Sequence, residues 1–235
     1  MHDNYTTAQK ATIQQLKTHI TQGKGQMTVV AMRSDYERDR EGCLTSVVFV
    51  PKPLTQSISQ RIIQPLKQLE PEHFYYTPDL MHSTIKNVRT IHTPPLFTPE
   101  DVVKADQVFK QIVPQFPVFR FSWQDLTLFP TSVALIGYSN QTLQQLIQAL
   151  DKGLSDIGVP DNKTYFSDTI FWGNLTICRL THSPTDAFRQ QVQELATVKL
   201  GEMRVTQIHL VTCNSVCHPQ TRTLIGTYSL NNREQ

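Results

Sequence analysis

No apolar run in these 235 residues approaches the roughly 20 residues that a membrane-crossing helix needs, and residues 1–25 lack the apolar core of a signal peptide. Both absences argue against a membrane partner and make the cytoplasm the expected location. An excess of charge of one sign is missing too: 22 Lys and Arg stand against 20 Asp and Glu, a formal net charge of +2. That surplus is too small to drive nonspecific binding to nucleic acid or anionic lipid, although a short basic groove does not register at this level. Cysteine is sparse. A cytosolic chain long enough to bury a core needs no disulfide staples, so Cys43, Cys178, Cys213 and Cys217 are expected as buried free thiols. His209, Cys213, Cys217 and His218 invite a zinc reading, but their spacing suits neighbouring ligands only on a helix, and residues 208–213 read as a strand. No metal and no other cofactor is expected.

What is present describes an ordinary globular protein, 39% hydrophobic and 18% charged, sized for one large domain or two intimately packed lobes. Residues 6–22 carry a thin apolar stripe of Ala8, Ile13, Leu16 and Ile20, a helix ended by Gly23 and Gly25 that docks on the domain or on a partner. Residues 34–42 alternate acids and bases around Tyr36 and read as a solvated loop. Strands are expected over 44–50, 74–77 and 81–88, with amphipathic helices over 54–69 and 99–113. The second half repeats this grammar: strands over 117–128, 132–138, 168–180, 206–213 and 222–230, and helices over 141–157 and 185–195. The expected class is α+β and bilobal, with duplicated strand-helix-strand-helix units, antiparallel sheets facing a central cleft, and helices outside. The expected division is an N-terminal helix and loop over 1–42, then a domain over 43–230 with intertwined lobes near 43–115 and 116–230.

Two tetrads stand out: His82-Ser83-Thr84-Ile85 and Asn174-Leu175-Thr176-Ile177, 92 residues apart, each in a strand-like segment. Side chains alternate along a strand, so His82 and Thr84 share one face, as do Asn174 and Thr176. Two such strands side by side bring two hydroxyls and two nitrogen-bearing groups to one cleft, a workable phosphate site. Thr84 and Thr176 are also ordinary β-branched strand formers.

On these tetrads and the duplicated layout the chain resembles the two-histidine (2H) phosphoesterase superfamily, which includes bacterial 2′-5′ RNA ligase-like proteins and cyclic nucleotide phosphodiesterases. The resemblance spans about residues 43–230. It implies a bilobal α+β fold, a metal-independent reaction that opens a 2′,3′-cyclic phosphate or forms a 2′-5′ bond, and a nucleotide or RNA end as partner. One imidazole would activate the attacking oxygen and the other protonate the leaving oxygen, with threonine hydroxyls holding the non-bridging oxygens. His82, Thr84 and Thr176 match this pattern; Asn174 stands where it has histidine. An amide moves no proton at neutral pH but still donates a hydrogen bond. The chain is then a slow enzyme using His82 alone, an enzyme with a proton borrowed from His182 or His209, or a nucleotide-binding pseudoenzyme.

Further candidates flank the tetrads. Lys86 shares the face of His82 and Thr84 if the strand runs on, and there it meets a phosphate or sits at a solvated strand end. Arg179 has the opposite parity from Thr176, which excludes direct contact unless a bulge intervenes. Tyr165, with Tyr75, Tyr76, Phe166 and Trp172, offers a ring on which a base stacks. His73, His92 and His218 read as surface residues. An unrelated α+β protein with coincidental tetrads is the plain alternative.

Overall fold

The computed structural model describes residues 4–24 and 28–232. α1 (Asn4–Thr21) ends because Gly23 takes a left-handed conformation at φ 65°, and the Lys24 amide then reaches back to the His19 carbonyl at 2.9 Å. Gly25, the second expected terminator, lies outside the described residues. The first half continues with β1 (Gly42–Phe49), α2 (Lys52–Ile58), α3 (Gln64–Leu69), β2 (Phe74–Tyr75), β3 (His82–His92) and α4 (Pro99–Ile112). The second brings β4 (Phe119–Phe129), β5 (Ser132–Tyr138), α5 (Gln141–Asp156), β6 (Gly173–Arg179), α6 (Asp186–Glu194), β7 (Lys199–Val205), β8 (Gln207–Cys213) and β9 (Thr223–Ser229).

The helix expected over 54–69 is two helices joined by a π-helical turn, Ser59–Ile63. Pro65 sits in the first turn of α3; it has no amide proton to donate, and the wider turn before it absorbs the missing bond. β7 was not expected. Its Lys199, Gly201, Glu202 and Arg204 hide a strand that forms by pairing with β4, and a sheet edge tolerates such polarity.

The α+β architecture is as expected. Every pairing between the named strands is antiparallel, in a four-stranded sheet ordered β3-β1-β8-β9 and a five-stranded sheet ordered β2-β6-β5-β4-β7. The two halves trade strands: β8 and β9 complete the first sheet, and β2 edges the second. α4 packs on β9 and α5 on β3, whereas α2 packs on β7 and α6 on β4. α4 and α5 lie close because position 153 is glycine; a Cβ there would sit 2.5 Å from Ile112 Cδ1. One apolar core, with Leu44, Ile58, Phe109, Leu135, Leu150 and Leu175 among its members, fills the layer between sheets and outer helices.

α1 is the exception to helices outside. Its Ile13 packs on Ile136, Tyr138, Phe129 and Trp172. Ile136 is the cross-strand partner of Asn174, and directly opposed residues share a face, so α1 covers part of the cleft face of the second sheet. Buried Gln9 anchors it: its Nε2 donates to the Phe171 carbonyl (2.6 Å) and its Oε1 accepts from the Ser139 amide (3.1 Å). The loop expected to be solvated is pinned as well. Tyr36 is 1% exposed and donates to the Leu180 carbonyl (2.8 Å), while buried Asp39 takes an ion pair from Arg33 (2.7 Å).

Candidate functional site

Between the two sheets lies a cavity of about 280 Å³, near the lower end of the ~300–1,000 Å³ usual for small-molecule sites. His82 and Thr84 line it from β3, Asn174 and Thr176 from β6, so the two tetrads do meet across one cleft. His82 is half-buried. Its Nδ1 lies 2.7 Å from the Leu80 carbonyl, which can only accept, so the proton sits on Nδ1 and Nε2 keeps its lone pair. Tyr76 stands beside it, ring centroids 6.2 Å apart. Asn174 is exposed, its amide open to whatever enters.

Both motif strands bulge one residue past the threonine. On β3, Thr84 opposes Val47 and Lys86 opposes Ser46, which leaves Ile85 extra; on β6, Thr176 opposes Ala134 and Cys178 opposes Val133, which leaves Ile177 extra. A bulge reverses the alternation, so the residue two past each threonine turns to the helices and the residue three past turns to the cleft. This corrects the reading of Lys86. Its ammonium is buried on the helix side, 2.8 Å from Asp151 and 2.7 Å from Asp161, and does not line the cleft. Lys86→Met is expected to destabilise the fold by about 3 kcal/mol in urea unfolding, because it strands the nearly enclosed Asp161 carboxylate without its cation. A midpoint equal to the wild type would mean that the Tyr165 hydroxyl, the Asn87 amide and the Lys163 backbone N–H already satisfy Asp161.

The same geometry brings Arg179 into the cleft, the case reserved for a bulge. Its Nε donates to the Tyr76 hydroxyl (3.4 Å) and its Nη2 to the Ser215 carbonyl (3.4 Å). Asn87 occupies the matching position on β3. Lys163, which nothing in the sequence marked, joins them from the loop before β6; its Nζ lies 5.2 Å over the Tyr165 ring. Burial pushes the Lys163 ammonium down, the Asp161 charge opposes this, and repulsion from Arg179 adds to it. Two cations that repel one another at the cavity wall set up a place for an anion.

The remaining candidates divide. Tyr76, Tyr165, Phe166 and Trp172 line the cavity; Tyr165 also donates to Asp161 (2.5 Å). Tyr75 does not: it is buried with its hydroxyl on the Glu70 carbonyl (2.8 Å). Leu16 of α1 and residues Thr28, Val29 and Val30 supply further wall, tied across by Thr28 and Thr164 (3.0 Å). All four thiols are buried. Cys43 and Cys213 oppose each other on the cleft floor with sulfurs 3.6 Å apart, and Cys217 is pulled down chiefly by its hydrogen bond with the Cys213 thiol, against the opposing push of burial.

Neither proposed donor of a second proton lines the cavity. His209 shares the cleft face of the first sheet but packs on Phe49, ring centroids 5.2 Å apart, with Nδ1 on Thr227 Oγ1 (2.9 Å); burial and Arg222 hold its imidazole down. His182 sits beside Glu70 and His73, behind the second sheet's β2 edge. His73 is not a surface residue: it is 4% exposed, held between Glu70 and the Phe188 ring. His92 is exposed and His218 half-buried.

No protein-family model and no curated protein sequence matches this chain. Solved structures do. TT0787 of Thermus thermophilus superposes with a TM-score of 0.58 at 15% identity over 82% of this chain and 100% of that one. E. coli LigT complexed with 3′-AMP gives 0.55 at 16%, over 81% and 98%. This chain has the LigT fold. A conserved protein from Agrobacterium tumefaciens, ATU0111, shares it with a TM-score of 0.55 at 12% identity over 89% and 98% of the two chains. At such identities the likeness is one of fold, and the chemistry rests on the cleft residues above.

Proposed function

We propose that this LigT-fold chain binds nucleotides or RNA ends bearing a 2′,3′-cyclic or 2′-5′ phosphodiester and hydrolyses them slowly, with His82 as its only acid-base group among the motif positions. The unit responsible is residues 43–230, with Leu16 of α1 and residues 28–30 adding wall to its cleft. The observation that carries the reading is the His82 Nδ1 bond to the Leu80 carbonyl, which leaves Nε2 free as a base beside two hydroxyls and two cations. The LigT structures solved with phosphate, 3′-AMP, ATP and NADP+ support the same class of ligand.

In this mechanism Nε2 takes the proton of a water whose oxygen attacks phosphorus. Arg179, Thr84 and Thr176 hold the non-bridging oxygens as charge builds on them. The bond from phosphorus to one ribose oxygen breaks, and that oxygen takes its proton from solvent, because Asn174 offers only a hydrogen bond. The missing proton donor costs on the order of 10²–10⁴ in rate. A second reading, binding without turnover, is favoured by the open amide of Asn174, an efficient donor to a phosphate oxygen.

The test is turnover of a panel of 2′,3′-cyclic and 2′-5′-linked nucleotides in chelator, with phosphate-ligand affinity measured beside it. Turnover supports the enzyme reading; affinity without turnover supports the second; absence of both defeats the site. Arg179→Ala is expected to weaken binding of a nucleoside 3′-phosphate by roughly 10- to 100-fold, the loss of one charge-assisted hydrogen bond, with partial recovery in Arg179→Lys. Calorimetric titration checks it, and unchanged affinity would show that Arg179 serves only Tyr76 and Ser215.

A further inference from the structure

We propose that Glu70, His73 and His182 form a binding site for a divalent transition-metal ion, zinc best of all, apart from the cleft. Two segments far apart in sequence deliver it: Glu70, which caps α3, and His73, just before β2, lie three residues apart, and His182 follows β6. One ligand atom from each lies within 4.8 Å of the others. Glu70 Oε2 is 2.6 Å from His73 Nε2 and 3.5 Å from His182 Nε2. Tetrahedral zinc with bonds of about 2.0–2.1 Å puts its ligand atoms roughly 3.3 Å apart, inside that bracket. Two histidines and a carboxylate are a known zinc set, with a fourth position for water.

The polar bookkeeping points the same way. Glu70 and His73 side chains are 5% and 0% exposed, yet neither Oε2 nor His73 Nε2 has a hydrogen-bond partner of acceptable geometry, although they are close. The rest of each group is fixed. Glu70 Oε1 accepts from the Thr185 amide (2.7 Å) and hydroxyl (2.5 Å), which leaves Oε2 to face the imidazoles. Thr181 Oγ1 contacts Nδ1 of His73 (3.3 Å) and Nδ1 of His182 (3.0 Å), and donates its own proton to the Glu72 carbonyl (3.3 Å). One hydroxyl can thus accept from both Nδ1–H groups and turn both Nε2 lone pairs to the same spot, the outer-sphere arrangement that metal-binding histidines use. The Thr181 amide also donates to His73 Nδ1 (3.3 Å), and metal binding exchanges that bond for one in which Nδ1 donates to the Thr181 hydroxyl. His182 is half-exposed, so the site has an entry path and an open side. An ion here clips the approach to β2 onto the segment leaving β6, the strand that carries Asn174, Thr176 and Arg179.

The experiment is a Co²⁺ titration of the chelator-stripped full-length protein, followed by visible d–d absorption and by displacement with Zn²⁺. The expected result is one equivalent bound without a sulfur-to-metal charge-transfer band, unchanged in Cys213→Ser. His182→Ala, at a half-exposed position that leaves folding intact, is expected to weaken binding by at least about 100-fold. No uptake by the wild type, uptake insensitive to His182→Ala, or uptake lost in Cys213→Ser overturns the proposal. Because the readout is metal binding, its failure leaves the cleft reading standing, and the converse holds.

Discussion

Asn174→His is expected to raise turnover of 2′,3′-cyclic nucleotides by roughly 10²–10⁴, the usual contribution of one positioned proton-transfer group. The position is prepared for it. Residue 174 faces the cleft from β6, two residues before Thr176, as His82 stands two before Thr84, and its side chain is exposed, so an imidazole fits without repacking. The pH profile should change with the rate. A single imidazole gives a profile with one limb, and two that divide acid and base work give a bell. Steady-state kinetics across pH on wild type and variant check both. A variant that binds a nucleoside 3′-phosphate as before but gains no turnover would mean that position 174 does not reach the leaving oxygen, and would favour the binding reading.

His82→Ala is expected to remove whatever turnover the natural chain has, again by about 10²–10⁴, while affinity for the product nucleotide falls far less. The asymmetry follows from the site. In the proposed mechanism the phosphate oxygens are met by Arg179, Thr84, Thr176 and Asn174, none of which is changed, whereas no other histidine among the described residues lines the cavity. His209 packs on Phe49 and His182 lies at the Glu70 cluster. Asn174→His, His82→Ala in one chain tests the assignment further: if the new imidazole alone restored full rate, His82 would be a binding residue and the general base would be elsewhere. Equal turnover in wild type and His82→Ala would have the same meaning.

The sequence spoke clearly wherever burial imposes a period. The helices of the second half and both motif strands follow from apolar spacing of 3.6 or 2, because each element must turn one face to the core. The reach of the motif strands was another matter. A bulge leaves no compositional mark: Ile85 and Ile177 are ordinary strand residues, and only the pairing partner shows that one of them is extra. Lys86 and Arg179 therefore carried opposite assignments from simple parity, and a single inserted residue in each strand exchanged their places. Glu70, His73 and His182 were illegible for a different reason. Their meeting depends on β2 pairing with β6, a contact across more than a hundred residues that no local pattern encodes. Lys163 and the wall made by α1 belong to the same kind. β7 was missed because an edge strand lets its polar residues stay in water.

Fragments of this protein are not equivalent to the whole. A chain pared down to the stretch that makes the two sheets keeps His82, Thr84, Asn174, Thr176 and Arg179 at their stations. It also strips Ile136 and Tyr138 of the cover that Ile13 gives them and takes Leu16 out of the cavity wall. What is left is a greasy slot, open at one end and sticky toward its own copies. Silence or clumping of such a fragment would report a missing plank, not the chemistry of the histidine, so assays of this cleft belong on the chain that carries its first helix.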